Sequence, residues 1–295
     1  MEYKINDKVV GKLPDFIIAG GAKCGSTTLV GVLNQNPEIF LQPATSTLGC
    51  EPHFFERDPK YAKGIEYYSK NYFNDANPNQ VIGEKTPNYC AKWVPKRIAK
   101  HLPDVKLIFI FRNPIERAYS QWKMYTIRGA EPYSFEKALK VEHKRISKHP
   151  RWQHWGKGYR TNGEYINVIN EYLKYFDKNQ IMVIILEKFL SEFDQYMEIL
   201  SEYLGVTYYE GHHLVHYLKT EKHPKSRIIQ HVSRKLLDAT PRGKRVFSII
   251  MECNSINKIP SMKISTRKML YDHYKEYNEK LSSFLKEPLH EWEMD

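Results

Sequence analysis

Residues 15–28 read Asp-Phe-Ile-Ile-Ala-Gly-Gly-Ala-Lys-Cys-Gly-Ser-Thr-Thr, an apolar run of strand length that turns through glycines into a helix-forming stretch. An unbroken apolar strand has no solvated face, so it has to be covered on both sides. A strand that leaves through a helix rejoins its sheet by a right-handed crossover, which makes the sheet parallel. The rest of the chain repeats the alternation. Lys106 to Phe111 and Ile181 to Leu186 are further apolar runs, and Val81 to Gly83 is a shorter one. Helical periodicity covers Pro114 to Arg128, Glu164 to Phe176, Glu192 to Leu204 and Thr266 to Leu285. The pattern predicts an α/β class, with ligands beyond the carboxyl ends of the strands.

Composition narrows the partners. The 295 residues carry 45 Lys+Arg against 34 Asp+Glu, a formal charge of +11. Such a surplus suggests a polyanion, so its placement matters. Between Lys219 and Arg245 stand nine Lys or Arg and two acids, a local net of +7. No helix-turn-helix, zinc-finger or RNA-recognition signature accompanies that cluster, so nucleic acid is not the expected partner. A solvated basic surface is the plain alternative. Apolar runs are strand-sized, far short of the roughly 20 residues that span a bilayer. The opening Met-Glu-Tyr-Lys-Ile-Asn-Asp-Lys has no apolar signal core. The expectation is a cytoplasmic protein without a stable membrane anchor. Cysteines at 24, 50, 90 and 253 lack the short paired spacing of a zinc knuckle or a disulfide framework. Nothing in the sequence sets the oligomeric state.

The loop of residues 20–28 has the makings of an anion site, since backbone N–H groups and a helix N-terminus converge on it. It fails the Walker A spacing. With Gly20 and Gly25 as the two glycines, Lys-Ser/Thr should follow, but Ser26-Thr27 does, and the lysine lies inside the loop at Lys23. The run Lys106 to Phe111 ends in Arg112, where a nucleoside-triphosphate hydrolase would favour a magnesium-binding Asp. An arginine there points a planar fork at a phosphate. Ser120, on the following helix, can add a hydroxyl, although alone it is an ordinary helix residue. A metal-free site with a second phosphate pocket accounts for the missing acid.

These segments carry a resemblance. Ala22-Lys23-Cys24-Gly25-Ser26-Thr27-Thr28 resembles the 5′-phosphosulfate loop of sulfotransferases that use 3′-phosphoadenosine 5′-phosphosulfate (PAPS), and Phe111-Arg112-Asn113-Pro114 through Ser120 resembles their 3′-phosphate motif. Glu51-Pro52-His53-Phe54-Phe55, Tyr61 to Tyr68 and Gly83-Glu84-Lys85-Thr86-Pro87 are similar to the heparan sulfate O-sulfotransferase branch, nearest the glucosaminyl 3-O enzymes. Gly163-Glu164-Tyr165 and the helix from Thr266 follow in the same order, so the resemblance runs from about Pro14 to Leu285. It implies a P-loop-type three-layer fold with a central parallel sheet flanked by helices. Residues 1–13 would be an N-terminal extension and residues 14–290 a single sulfotransferase domain, with 218–262 a basic, lid-like segment.

What the resemblance implies for the site follows residue by residue. The sulfuryl group of PAPS passes in line to an acceptor hydroxyl, expected to be on a saccharide, without a metal. Lys23 would neutralise charge on the leaving phosphate. Cys24, Gly25, Ser26, Thr27 and Thr28 would hold the 5′-phosphate, and Arg112 and Ser120 the 3′-phosphate. Glu51 takes the base role, and His53 is its rival, because imidazole is well matched to neutral pH. Lys85 would approach the transferring group, and Lys23 and Lys85 near Glu51 would keep its carboxylate ionised. One departure stands out. Related enzymes carry Lys-Gly-Arg-x-His-Pro in a late loop, whereas here it reads Lys219-Thr220-Glu221-Lys222-His223-Pro224. Lys219, Lys222 or Arg227 could replace the absent arginine. Two other functions stay open, a P-loop ATP-dependent kinase and a non-catalytic polyanion-binding protein.

Overall fold

The computed structural model describes residues 2–5, 8–42, 51–152, 156–214, 223–237, 240–256 and 260–294. They fall into two compact units, one comprising Met1–Arg112, Tyr165–Tyr217 and Ser283–Glu291, the other Asn113–Glu164, Leu218–Ser282 and Trp292–Asp295.

The first unit opens with an antiparallel hairpin of β1 (Glu2–Ile5) and β2 (Lys8–Lys12), within the stretch expected as an extension. Its centre is a five-stranded sheet of β3 (Phe16–Gly20), β4 (Ile39–Leu41), β5 (Val81–Lys85), β6 (Lys106–Phe111) and β7 (Ile181–Ile185), ordered β4-β5-β3-β6-β7. Every neighbouring pair is parallel. Helices Ser26–Leu33, Gly64–Tyr72 and Val94–His101 make successive crossovers, and Tyr165–Tyr172 leads into β7. The helices flank the sheet, as the alternation of apolar runs requires. Phe16 to Ala19 of β3 and Leu107 to Phe111 of β6 are wholly buried, which explains why both strands lack polar residues. β5 lies on one side of β3 and β6 on the other. The chain therefore changes direction across the sheet at β3, and the crevice at such a switch point is where ligands of open parallel sheets bind.

Two boundaries move relative to the sequence pattern. The strand read as Val81 to Gly83 continues through Glu84 and Lys85, both buried. The strand from Ile181 stops at Ile185, because Leu186 already begins the helix Leu186–Ser191. Gly83 is where the sheet tolerates no side chain. A Cβ there would lie 2.2 Å from Cζ of Phe16 and 2.7 Å from Cδ2 of Leu41.

The second unit is mainly helical, with Pro114–Ile127, Phe135–Lys148, Arg227–Leu237, Pro241–Cys253 and most of Ile264–Leu285. A short antiparallel pair joins β8 (His223–Pro224) to β9 (Ser255–Ile256). Asn113 starts the first helix, its Oδ1 accepting the N–H groups of Ile115 at 3.0 Å and Glu116 at 3.4 Å. Ile115, Tyr119, Trp122, Phe135, Leu139 and Tyr274 join in one apolar core. Glu131 is fully buried, and Arg145 at 2.6 and 3.0 Å and the Tyr159 hydroxyl at 2.8 Å compensate its charge.

The crowding at Gly83 gives a stability test. Gly83→Ala should lower the unfolding free energy by about 1–3 kcal/mol, the usual cost of overpacking. Urea denaturation reads the change, and an unshifted midpoint would contradict the packing of β5 against Phe16.

Candidate functional site

The carboxyl end of β3 runs into the glycine-rich loop. The Gly21 N–H donates to the Ile110 carbonyl at 2.7 Å and so ties the loop to β6. Lys23 takes a left-handed φ of 69° and is exposed. Gly25, with φ 90°, is the N-cap of Ser26–Leu33. A side chain at Gly25 would suit neither that φ nor the space, since its Cβ would approach Leu186 Cδ1 to 2.7 Å. The first intrahelical bond runs from the Leu29 N–H to the Gly25 carbonyl at 3.1 Å. The N–H groups of Ser26, Thr27 and Thr28 precede it, and no side chain caps them. Open donors at the positive end of a helix form a cradle for an anion. Cys24 turns inward. Its N–H reaches the Gly21 carbonyl at 3.2 Å, and its buried sulfur lies 3.6 Å from the Tyr165 hydroxyl. That hydroxyl donates to the Arg112 carbonyl at 2.7 Å, and the Tyr165 ring stacks on Phe111 with centroids 4.1 Å apart. The end of β6 and the loop are thereby held by one tyrosine.

The carboxyl end of the adjacent strand β5 carries a second cluster. Lys85, only 3% exposed, donates from Nζ to Glu51 Oε1 at 2.6 Å. A buried ammonium without a partner would cost several kcal/mol, so this contact is a requirement of the fold as well as of the site. His53 bridges two carboxylates, with Nε2 3.2 Å from Glu51 Oε2 and Nδ1 2.5 Å from Glu56 Oε1. The segment is pinned from below. The Tyr89 hydroxyl accepts the N–H groups of Phe54 and Phe55 at 3.1 and 3.3 Å, and Thr86 Oγ1 accepts that of His53 at 3.3 Å. Phe54 and Phe55 are wholly buried, Phe54 stacking on Tyr68 at 4.5 Å. His53 has a φ of 52°, a strained conformation held by these contacts.

The charges follow from the geometry. Burial alone would raise the Glu51 carboxyl, but the hydrogen bond to His53 and the charge of Lys85 outweigh it and bring it down to about 2. Burial would lower His53, yet its bonds to Glu51 and Glu56 prevail and raise it above the ordinary 6.5. At neutral pH Glu51 is a carboxylate, and set between it and Glu56 the His53 ring serves Glu51 as a hydrogen-bond donor. Beneath them Glu84 is buried, accepting from Thr86 Oγ1 at 2.7 Å and from the Tyr68 hydroxyl. Desolvation pushes its carboxyl up to about 7 despite the bonds from Tyr68, Tyr89 and Thr86. Glu56, Glu84 and Thr86 were not singled out in the sequence. The acid three residues after His53 was the available signal.

The first unit thus holds Lys23, Cys24, Gly25, Ser26, Thr27 and Thr28 on the loop after β3 and the helix start it leads into, Lys85 and Arg112 at the ends of β5 and β6, and Glu51 and His53 on the segment of residues 51–56. The second holds Ser120, half-buried within Pro114–Ile127, and Arg227, the first residue of Arg227–Leu237. The Nε of Arg227 and both ring nitrogens of His223 are buried without a hydrogen-bond partner. Burial and the charges of Arg227 and Lys123 push His223 down to about 4. Lys219 and Lys222 lie outside the described residues. Among the described residues there is no group of three His, Cys, Asp or Glu that could hold a metal ion.

Comparison with known proteins adds three findings. The family described as the sulfotransferase domain matches residues 13–284. Heparan sulfate glucosamine 3-O-sulfotransferase 5 of Mus musculus is 31% identical over 204 residues, 67% of this chain and 55% of that protein. Bifunctional heparan sulfate N-deacetylase/N-sulfotransferase 1 of Xenopus laevis is 26% identical over 285 residues, 95% of this chain and 30% of that one. The chain therefore spans about half the length, or less, of these relatives. In fold it is similar to the crystal structure of a sulfotransferase from Alicyclobacillus acidocaldarius, with a TM-score of 0.67 and 22% identity, covering 95% of this chain and 99% of the other.

The charge state of the cluster can be read by NMR. His53 should titrate above 6.5, and Glu56→Gln should lower its pKa by removing one of its two acceptors. A raised histidine pKa adds stability that is complete below 6.5 and is lost as pH rises through the folded value. For Glu51 the sign reverses, its contribution being present above 4.5 and lost as pH falls towards about 2. A His53 pKa at or below 6.5 in the unmodified protein would contradict the two-carboxylate bridge.

Proposed function

Since the chain belongs to the sulfotransferase domain family, which matches residues 13–284, we propose that it transfers a sulfuryl group from PAPS to a saccharide hydroxyl, with Glu51 as the base. The observation that carries this reading is the contact of Lys85 with Glu51 at 2.6 Å, at the carboxyl end of the strand beside the anion-binding loop. A carboxylate to receive a proton and a cation to meet the transferring group are the two pieces that in-line transfer to a hydroxyl needs. The saccharide acceptor rests on the relatives, whose names place their action on heparan sulfate.

The remaining roles follow from the chemistry of each group. The uncapped N–H groups of Ser26, Thr27 and Thr28, with Gly25 leading into them, suit the 5′-phosphate. Lys23, on the exposed side of the same loop, is the cation for the leaving phosphate. Arg112 and Ser120 hold the 3′-phosphate, joined by Arg227, Lys219 or Lys222. The two compact units then serve one sulfotransferase domain over residues 14–290, as a family match reaching into both supports.

The electrostatics suggest how the base is held in reserve. A carboxyl near 2 is fully ionised at neutral pH but weakly basic. Much of that depression comes from Lys85 and His53. When Lys85 turns to an anionic donor, Glu51 loses a partner and gains basicity as the acceptor hydroxyl arrives. His53 meanwhile keeps the carboxylate aimed. In this reading His53 positions the base rather than being the base.

Glu51→Gln separates chemistry from binding. Transfer from labelled PAPS to sulfatable oligosaccharides should fall by roughly 10²-fold or more, a typical general-base contribution. Binding of 3′-phosphoadenosine 5′-phosphate, followed by calorimetry, should persist. Unchanged transfer by the variant would overturn the base assignment.

A further inference from the structure

The second unit carries an exposed apolar surface to which the roles proposed above assign no residue. One side of helix Arg227–Leu237 is packed. Gln230 is buried and donates to the Ile127 carbonyl at 2.8 Å, His231 meets the Gly129 carbonyl at 2.8 Å, and Arg234 donates to the Arg128 carbonyl at 2.8 Å. The opposite side presents Ile228, Ile229, Val232 and Leu236, which are 68%, 53%, 47% and 74% exposed. Positions 228, 232 and 236 recur every four residues and form one stripe. The next helix, Pro241–Cys253, leaves Val246 and Ile249 46% and 62% exposed. Single exposed apolar residues need no explanation, but a stripe along one helix, with further exposed aliphatic residues on the next, does.

The charges around this surface are one-sided. Lys225, Lys235, Arg242, Lys244 and Arg245 are exposed, and the two helices contain a single acid, Glu252. We propose that this helical pair adsorbs reversibly onto an anionic lipid surface, its isoleucines and leucine entering the headgroup–acyl boundary while the cations meet lipid phosphates. An exposed apolar stripe with a basic surround is the pattern of an interfacial helix. Other occupants fit less well. A second copy of the chain would set the same positive surface against itself. A sulfated glycan or a nucleic acid would engage the cations and leave the aliphatic stripe in water. Adsorption needs no spanning segment, and among the described residues no helix is long and apolar enough to cross a membrane.

Vesicle co-sedimentation tests the proposal with the full chain. Phosphatidylcholine vesicles with about 30% phosphatidylglycerol should bind it at about 0.1 M salt, and pure phosphatidylcholine vesicles should not. The triple variant Ile228→Ser, Val232→Ser, Leu236→Ser should bind about tenfold more weakly or worse. Its thermal midpoint should match that of the parent, because all three side chains already face solvent. A second variant, Lys235→Glu, Arg242→Glu, Arg245→Glu, should also lose binding. Absence of the parent from the anionic pellet would overturn the proposal. So would binding that survives the apolar triple variant, which would indicate polyanion attraction alone. A dimer in sedimentation velocity that the apolar variant dissociates, without vesicle binding, would assign the surface to a second copy and overturn it as well.

Discussion

An ammonium withdrawn from water at the end of a β-strand has to find a carboxylate, and in this protein Lys85 finds Glu51. That requirement holds the segment of residues 51–56 against β5, and the rest of the cluster follows from it. His53 shares Glu51 with the lysine and passes the charge sequence on to Glu56. Tyr89 and Thr86, just beyond β5, fix the backbone of the same segment. Alternating charges in a half-buried setting hold one another more firmly than any one pair exposed to solvent would. The arrangement fixes the orientation of the carboxylate that the proposed chemistry needs.

The sheet supplies the other half of the site. Its order sets β5 and β6 on either side of β3, so that three strand ends deliver different groups to one edge of the sheet. β3 brings a loop with open N–H donors, β5 an acid–base cluster, and β6 an arginine. Tight packing keeps these ends in register. Gly83 leaves room for Phe16, Gly25 for Leu186, and Tyr165 clamps the end of β6 by stacking on Phe111. Apolar strands and special glycines thus have a functional consequence, since they decide where the polar groups emerge.

The sequence exposes this design unevenly, for physical reasons. β3 and β6 were legible because strands buried on both faces must be apolar throughout, and the edge strand β7, only partly buried, shows an equally apolar run. β4, with three residues, is too short to show a period. β5 looked shorter than it is because Glu84 and Lys85 read as the polar end of a strand. Only the fold shows that Tyr68, Thr86 and Glu51 compensate their burial. Glu51 and Lys85 could be named from motif resemblance, but their contact joins residues 34 apart, which spacing alone cannot predict. Glu56 was hidden for a related reason, since an acid in a sequence looks solvated until its surroundings are known. Cys24 reads as part of the loop that faces the ligand, yet its side chain turns towards Tyr165. The order of motifs carried the family, and the buried partners of the polar residues needed the structure.

The central claim is that the loop after β3 and the arginine after β6 serve one small nucleotide phosphorylated at both its 3′ and 5′ positions. The most direct measurement is thermal stabilisation by 3′-phosphoadenosine 5′-phosphate compared with ADP and ATP, each with and without Mg²⁺. The account predicts a marked rise in Tm with the 3′-phosphorylated compound, unaffected by Mg²⁺, and little response to ADP or ATP. Equal shifts with all three nucleotides, stabilisation only by ATP with Mg²⁺, or no shift with any of them would contradict it.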